Sequence, residues 1–229
     1  MIGKCAVVTV DLVKRYGRRC ALDGFSLSVP EGSVLGLVGP NGAGKTTWMM
    51  SVAGLTRLDS GEVSLLGRGS FDANVHSGRV SILPQDSEIP LELTPYSFLY
   101  GLCSLQGLSS SEAKASVCGI LSALNLSNYI RASVRSLSHG MRKRLMVAQC
   151  FLGDPEEAVR FRDIILAGRG KRTVVISSHD LTGLERLCTH FAFVEAGRVT
   201  RFFSLEDLAA SSQTLEEAYL NRSCVERAN

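Results

Sequence analysis

Apolar and polar residues alternate over residues 5–13 (Cys-Ala-Val-Val-Thr-Val-Asp-Leu-Val) and again over 25–30 (Phe-Ser-Leu-Ser-Val-Pro). A period of two sends one row of side chains to a core and the other to water, so both stretches predict strands of an antiparallel sheet with one wet face. Residues 33–38 form an apolar run that reads as a strand, and 48–55 read as a helix. Residues 61–67 predict a short strand ending in a turn, 68–78 a polar loop, and 79–86 a strand running into a polar tip. The character then changes. Thr94-Pro95 opens a helix with proline near its first turn, and Ser109-Ser110-Ser111-Glu112 opens another with acidic first-turn charge. Ala113, Val117, Ile120, Leu121 and Leu124 follow at helical spacing. Residues 158–167 are spaced like a helix and 171–180 are a β-branched strand. Residues 191–203 are a hairpin turned at Glu195-Ala196-Gly197-Arg198, and 215–220 form a closing helix. The pattern predicts an α/β fold with an N-terminal antiparallel sheet and an all-helical insertion.

Composition narrows the class. The chain has 229 residues, 45% hydrophobic and 21% charged, enough for one large α/β domain with a substantial core. A net charge of +3 is too small to argue for nucleic acid, and no nucleic-acid partner is expected. No apolar run approaches the roughly 18 residues of a membrane span, and the N-terminus lacks the apolar core of a signal peptide. Seven scattered cysteines without a C-x-x-C pair predict buried free thiols in a reduced, cytosolic chain.

The candidate chemistry lies in Gly39-Pro40-Asn41-Gly42-Ala43-Gly44-Lys45-Thr46-Thr47, which fits G-x-x-x-x-G-K-[ST] between a predicted strand and a predicted helix. The glycines let successive N–H groups turn inward on the β- and γ-phosphates of a nucleotide. The helix N-terminus adds its partial positive charge. In this motif Lys45 reaches the β/γ oxygens and Thr46 places its hydroxyl on Mg²⁺.

With that loop, the segment Lys14-Arg15-Tyr16-Gly17-Arg18-Arg19 and the later phrases Leu137-Ser138-His139-Gly140-Met141 and Ser177-Ser178-His179-Asp180-Leu181, the chain resembles the ATP-binding domain of an ABC transporter. The resemblance covers nearly the whole chain and implies ATP and Mg²⁺ as ligands. It also implies that Tyr16 stacks on adenine and that Gln85 contacts Mg²⁺ and the attacking water. His179 becomes the switch histidine on the γ-phosphate. Ser138 and Gly140 stand in the family's L-S-G-G-Q pattern and contact the nucleotide of the other subunit, so a homodimer or heterodimer of ATP-binding subunits is implied. His139 and Met141 depart from that pattern, and Arg142, Lys143 and Arg144 read as a solvated helix face. Residues 1–229 are then a single domain with a helical subdomain at 87–135 and a helical tail at 204–229 that resembles export-type subunits. The partner is a transmembrane permease, and the location the inner face of the membrane. A non-transport ABC protein acting on ribosome or DNA, or a catalytically inactive remnant, remain alternatives.

One part is missing. A hydrolysing phosphate-loop protein needs a second apolar strand ending in Asp, which holds Mg²⁺ through water, and in this family a Glu follows to polarise the attacking water. Residues 149–160 read Gln-Cys-Phe-Leu-Gly-Asp-Pro-Glu-Glu-Ala-Val-Arg, as though that strand and the loop after it, roughly 15–20 residues on strand and loop averages, had been cut out. Asp154, Glu156, Glu157 and Asp163 are the nearest acids, and none ends an apolar strand. The chain is expected to bind ATP far better than it hydrolyses it. Losing an interior strand should also leave its neighbours unpaired unless the sheet re-pairs across the gap.

Overall fold

The computed structural model describes residues 4–76, 80–83, 88–152, 173–177 and 181–225. The chain divides into two units, Met1–Gln85 with Lys171–Asn229, and Asp86–Gly170.

In the first unit, β1 (Cys5–Tyr16) and β2 (Arg19–Pro30) form an antiparallel hairpin, and β4 (Ser60–Leu65) pairs with the other edge of β1, giving the order β2-β1-β4. The hairpin runs well past the alternating stretches, through 14–24. Register shifts interrupt the β1–β2 ladder at four places, and each one breaks the period of two that makes a strand visible in sequence.

The second sheet has the order β5-β6-β3-β7-β8, from β3 (Val34–Val38), β5 (Val80–Leu83), β6 (Thr173–Ser177), β7 (His190–Glu195) and β8 (Arg198–Ser204). Its first four members run parallel, and β8 turns back antiparallel on β7. The expected α/β class is therefore observed. Where a strand had been expected to leave open edges, β6 is paired on both sides: Val175 lies opposite Leu35 of β3 and opposite Ile82 of β5. Direct pairing satisfies the backbone groups that the missing strand would have met.

The core of this unit is built around α1 (Lys45–Val52), the helix that leaves the phosphate loop. Trp48 is fully buried, stacks on Phe25 with ring centroids 5.6 Å apart, and donates its indole N–H to Thr9 Oγ1 at 3.1 Å. Thr9 Oγ1 also accepts the Leu27 N–H at 3.1 Å and donates to the Leu27 carbonyl at 3.2 Å. One buried hydroxyl thus locks β1, β2 and α1 together, with each polar group satisfied.

Within the predicted polar loop a short helix, α2 (Ala73–His76), forms instead. His76 is buried; its Nδ1 accepts the Asp72 N–H at 2.9 Å and its Nε2 donates to the Leu65 carbonyl at 3.1 Å. After β6 come α6 (Leu181–Leu187), β7, β8, α7 (Leu205–Ala210) and α8 (Leu215–Val225). Phe193 packs edge-on to both Phe203 and Tyr219, which seats α8 on the sheet.

In the second unit, α3 (Pro95–Leu105) and α4 (Ser110–Ala123) begin at the predicted signals. Thr94 and Ser109 each close a reciprocal cap, with Ser97 and with Glu112. Ala113, Val117, Ile120, Leu121 and Leu124 are buried. Helix α5 spans His139–Ala148. Arg142 and Arg144 do more than face solvent: Arg142 Nη1 donates to the Leu137 carbonyl at 2.9 Å and Arg144 Nη1 to the Leu124 carbonyl at 2.8 Å. Arg142 thus ties the start of α5 to the turn before it, and Arg144 fastens α5 to the end of α4. Cys5, Cys20, Cys103, Cys118, Cys150 and Cys188 are free thiols; of these six Cys103, Cys150 and Cys188 are buried, while Cys20 and Cys118 are exposed.

Candidate nucleotide site

Strand β3 ends at Val38 and α1 begins at Lys45, so the whole turn between them is made by residues 39–44. Two glycines are demanded by close approach. A Cβ on Gly39 would run into the Val194 carbonyl of β7, and one on Gly44 would meet the Ala21 carbonyl of β2 at 2.5 Å. Gly44 also holds φ 108, where L side chains are strained. The loop is thereby pressed between β7 and β2. It is pinned by the Gly197 N–H, which donates to the Ala43 carbonyl at 2.8 Å, and by Arg19 Nη2, which donates to the Gly42 carbonyl at 3.1 Å. Gly197 itself accepts the Asp23 N–H at 3.0 Å, and Arg198 pairs with Asp23 at 2.7 Å. The turn of the β7–β8 hairpin is thus a buttress for the loop.

Lys45 is buried, with 5% exposure, and its ammonium donates to the carbonyls of Gly39 at 2.6 Å and Pro40 at 2.9 Å. These contacts hold the charge over the loop. Helix α1 starts without a side-chain cap and without an acidic residue in its first turn. Its N-terminal field therefore faces the loop without neutralisation by a side chain of that turn. Thr46 is exposed, Thr47 half-buried, and Asn41 and Gly42 are exposed while Ala43 is buried. Tyr16 stands at the end of β1, opposite Arg19 in the hairpin, 51% exposed, with Lys14 Nζ 5.3 Å from its ring centre. Arg19 thus connects the hairpin that presents Tyr16 to the loop that presents Lys45.

In the second unit Ser138, His139 and Gly140 are exposed at the first turn of α5. Ser138 Oγ accepts the Met141 N–H at 3.3 Å, and a Cβ on Gly140 would meet nothing within 4 Å. The helix start is therefore open and side-chain capped by the serine. Gln85 and His179 fall two residues beyond the ends of β5 and β6, outside the described residues, as do Asp154, Glu156, Glu157 and Asp163.

Sequence reasoning missed two contributors to the loop. Arg19 and Gly197 touch it through long-range pairings that no local pattern encodes. Ser177 is the last residue of β6. It is buried, with 3% exposure, and its Oγ has no hydrogen-bond partner among the described residues. Those residues also hold no group of three or more His, Cys, Asp or Glu able to bind a metal. Mg²⁺ needs hard oxygen donors and usually takes them from phosphates, waters and one or two protein groups. The exposed Thr46 hydroxyl at the head of α1 is a donor of that kind. The residues present therefore fit a metal brought in with a nucleotide rather than one held by a protein cage.

A parallel sheet feeding a buried-lysine glycine loop into an uncapped helix defines a phosphate-loop nucleotide-binding protein. The chain belongs to the ABC transporter family, as an ATP-binding domain: the family profile described as ABC transporter matches residues 22–158. A Nod factor export ATP-binding protein I from Ralstonia nicotianae is 32% identical over 218 residues, covering 86% of this chain and 67% of that one. A protein of the same name from Burkholderia orbicola is 33% identical over 207 residues, covering 82% and 67%. The chain thus spans about two thirds of the length of these relatives. Among solved structures, a nucleotide-free ATP-binding cassette from an ABC transporter matches with a TM-score of 0.69 at 22% identity, over 90% of this chain and 94% of that one. No helix among the described residues is long and apolar enough to cross a membrane.

Proposed function

We propose that this ATP-binding domain takes up ATP with Mg²⁺ at residues 39–47, pairs with a second ATP-binding subunit, and drives an export-type transmembrane permease while hydrolysing ATP poorly. The observation that carries the reading is the loop itself. Gly39 and Gly44 admit no side chain, Lys45 is buried over the loop, and α1 opens onto it uncapped. Thr46 is the donor for Mg²⁺, which when bound draws charge from the β- and γ-phosphates. Tyr16 offers an exposed ring to adenine. Ser138 and Gly140, at the open start of α5, present a hydroxyl and amides of the kind that contact a partner subunit's γ-phosphate. The similarity to Nod factor export ATP-binding proteins supports export, and the proposed permease supports the membrane location. The proposed roles of Gln85 and His179 in contacting Mg²⁺, water and γ-phosphate rest on the family pattern.

Poor hydrolysis follows from the sequence between α5 and β6, which lacks an apolar strand ending in Asp or Asp-Glu. A positioned general base is worth roughly 10²–10⁴ in rate.

Nucleotide binding is tested by thermal unfolding. A ligand at about 100 times its dissociation constant stabilises the native state by about 2.7 kcal/mol, which for a chain of this size raises Tm by about 5–10 °C. Millimolar ATP with Mg²⁺ should produce that rise, and Lys45→Ala should remove it. Absence of any shift in the unmutated protein overturns the site.

A further inference from the structure

Among the described residues the buried hydroxyl of Ser177 has no hydrogen-bond partner, a cost without an evident return. A buried hydroxyl without a partner destabilises a fold, and Ala would fill the same strand position without it. Ser177 nevertheless closes β6, directly opposite Leu37 of β3, and β3 enters the phosphate loop two residues later. Parallel strands put their C-terminal ends at one edge, and ligands of open α/β sheets bind outside that edge.

The face is fixed as well. Leu35, Leu37, Val175, Ala192 and Val194 pack with Trp48, Met49 and Val52 in one core cluster, so this row of the sheet faces α1. Side chains alternate along a strand, and Ser177 follows Val175 by two, so it continues the α1-facing row. Ala43 of the loop packs in the same cluster, so the loop and α1, which opens with Lys45 and Thr46, share that face of the sheet. The orphaned oxygen therefore stands at the carboxyl edge of the sheet, one strand from the phosphate loop and on the face of its helix.

We infer that Ser177 Oγ accepts a hydrogen bond from a water on the nucleotide's Mg²⁺, helping Thr46 to hold the metal in a chain that lacks the usual Asp. This rests on the nucleotide reading above. A hydroxyl brings no charge, so Ser177 orients the metal's hydration shell without replacing a carboxylate's attraction for the ion. Outer partners of a metal site contribute 10–100-fold to its affinity, and the lower end of that range suits one neutral oxygen.

The experiment compares the native chain with Ser177→Ala, measuring ATP affinity by titration calorimetry with excess Mg²⁺ and again with a chelator. In the native chain Mg²⁺ should tighten ATP binding. In Ser177→Ala that enhancement should shrink about 10-fold, while metal-free affinity stays unchanged. The ligand-free variant should melt higher than the native chain, because the orphaned hydroxyl is gone, and so prove folded. Ser177→Thr, which keeps the oxygen, should retain the enhancement. Equal enhancement in native and Ser177→Ala chains overturns the assignment and leaves the nucleotide site standing. Failure of the native chain to bind ATP in either condition overturns the nucleotide reading, and the role of Ser177 with it.

Discussion

Single residues decide more here than their types announce. Thr9 sits in a stretch that reads as plain strand, yet its hydroxyl serves Trp48 and both backbone groups of Leu27. Thr9→Val keeps the shape and removes the oxygen, which leaves the indole N–H and the Leu27 N–H without their acceptor. Each buried group left unmet costs about 1–3 kcal/mol. The variant should unfold at a lower urea midpoint with an unchanged m value, a loss of about 2–6 kcal/mol in all. A change within about 0.5 kcal/mol, the range of ordinary surface substitutions, would sink the account. The glycine loop was legible in the sequence because its spacing is local and its chemistry is carried by residue type. Thr9, Arg19 and Ser177 were not, since their roles arise from partners 18 to 39 positions away or from a strand neighbour far along the chain.

Elements were legible where one rule governed them. Helices α3 and α4 start at side-chain caps, and their buried positions follow the helical period. Helix α2 was missed because it exists through the buried ring of His76 rather than through propensity. The long β1–β2 hairpin was read short because its register shifts hide the alternation. The pH response also belongs to this scale. Burial pushes the His190 imidazole of β7 below its ordinary value, against the opposing pull of Asp207 and Glu206. The unfolded chain therefore binds the proton first as pH falls below about 6.5, and stability declines from there downward. Hydrogen bonds from Ser109 and Ser204 lower Glu112 and Asp207. Their contribution is present above the ordinary carboxylate range and is lost only as pH falls through the lowered values, below about 4. Melting temperatures recorded across both windows should show two separate declines, and His190→Gln should flatten only the upper one. A flat Tm from neutral pH down to about 5 contradicts the assignment to His190.

At the scale of the molecule, the missing strand has unequal consequences for structure and for chemistry. The sheet closes over it, with β6 paired to β3 and β5, so the expected edge is absent from β6. On the proposed reading catalysis has no such repair, because the sequence between α5 and β6 lacks an apolar strand ending in Asp. Paired with itself, the chain should release phosphate at a rate about 10²–10⁴ below one with a positioned base. On the same reading, pairing with a complete relative should leave one of the two sites with its full set, Ser138 and Gly140 being this chain's proposed contribution to it. Phosphate release by the purified chain, with Lys45→Ala as the control, decides the matter. Brisk turnover abolished by that substitution would point to a surviving acid, with Asp154 or Glu157 tested first. The core around α1 has one further consequence. Trp48 is the chain's single tryptophan, and it sits dry against Phe25, three residues after Lys45. The protein's indole emission is therefore a private optical signal from the first unit. It should shift red when that core opens and stay silent to melting of α3 and α4, whose loss circular dichroism would record separately.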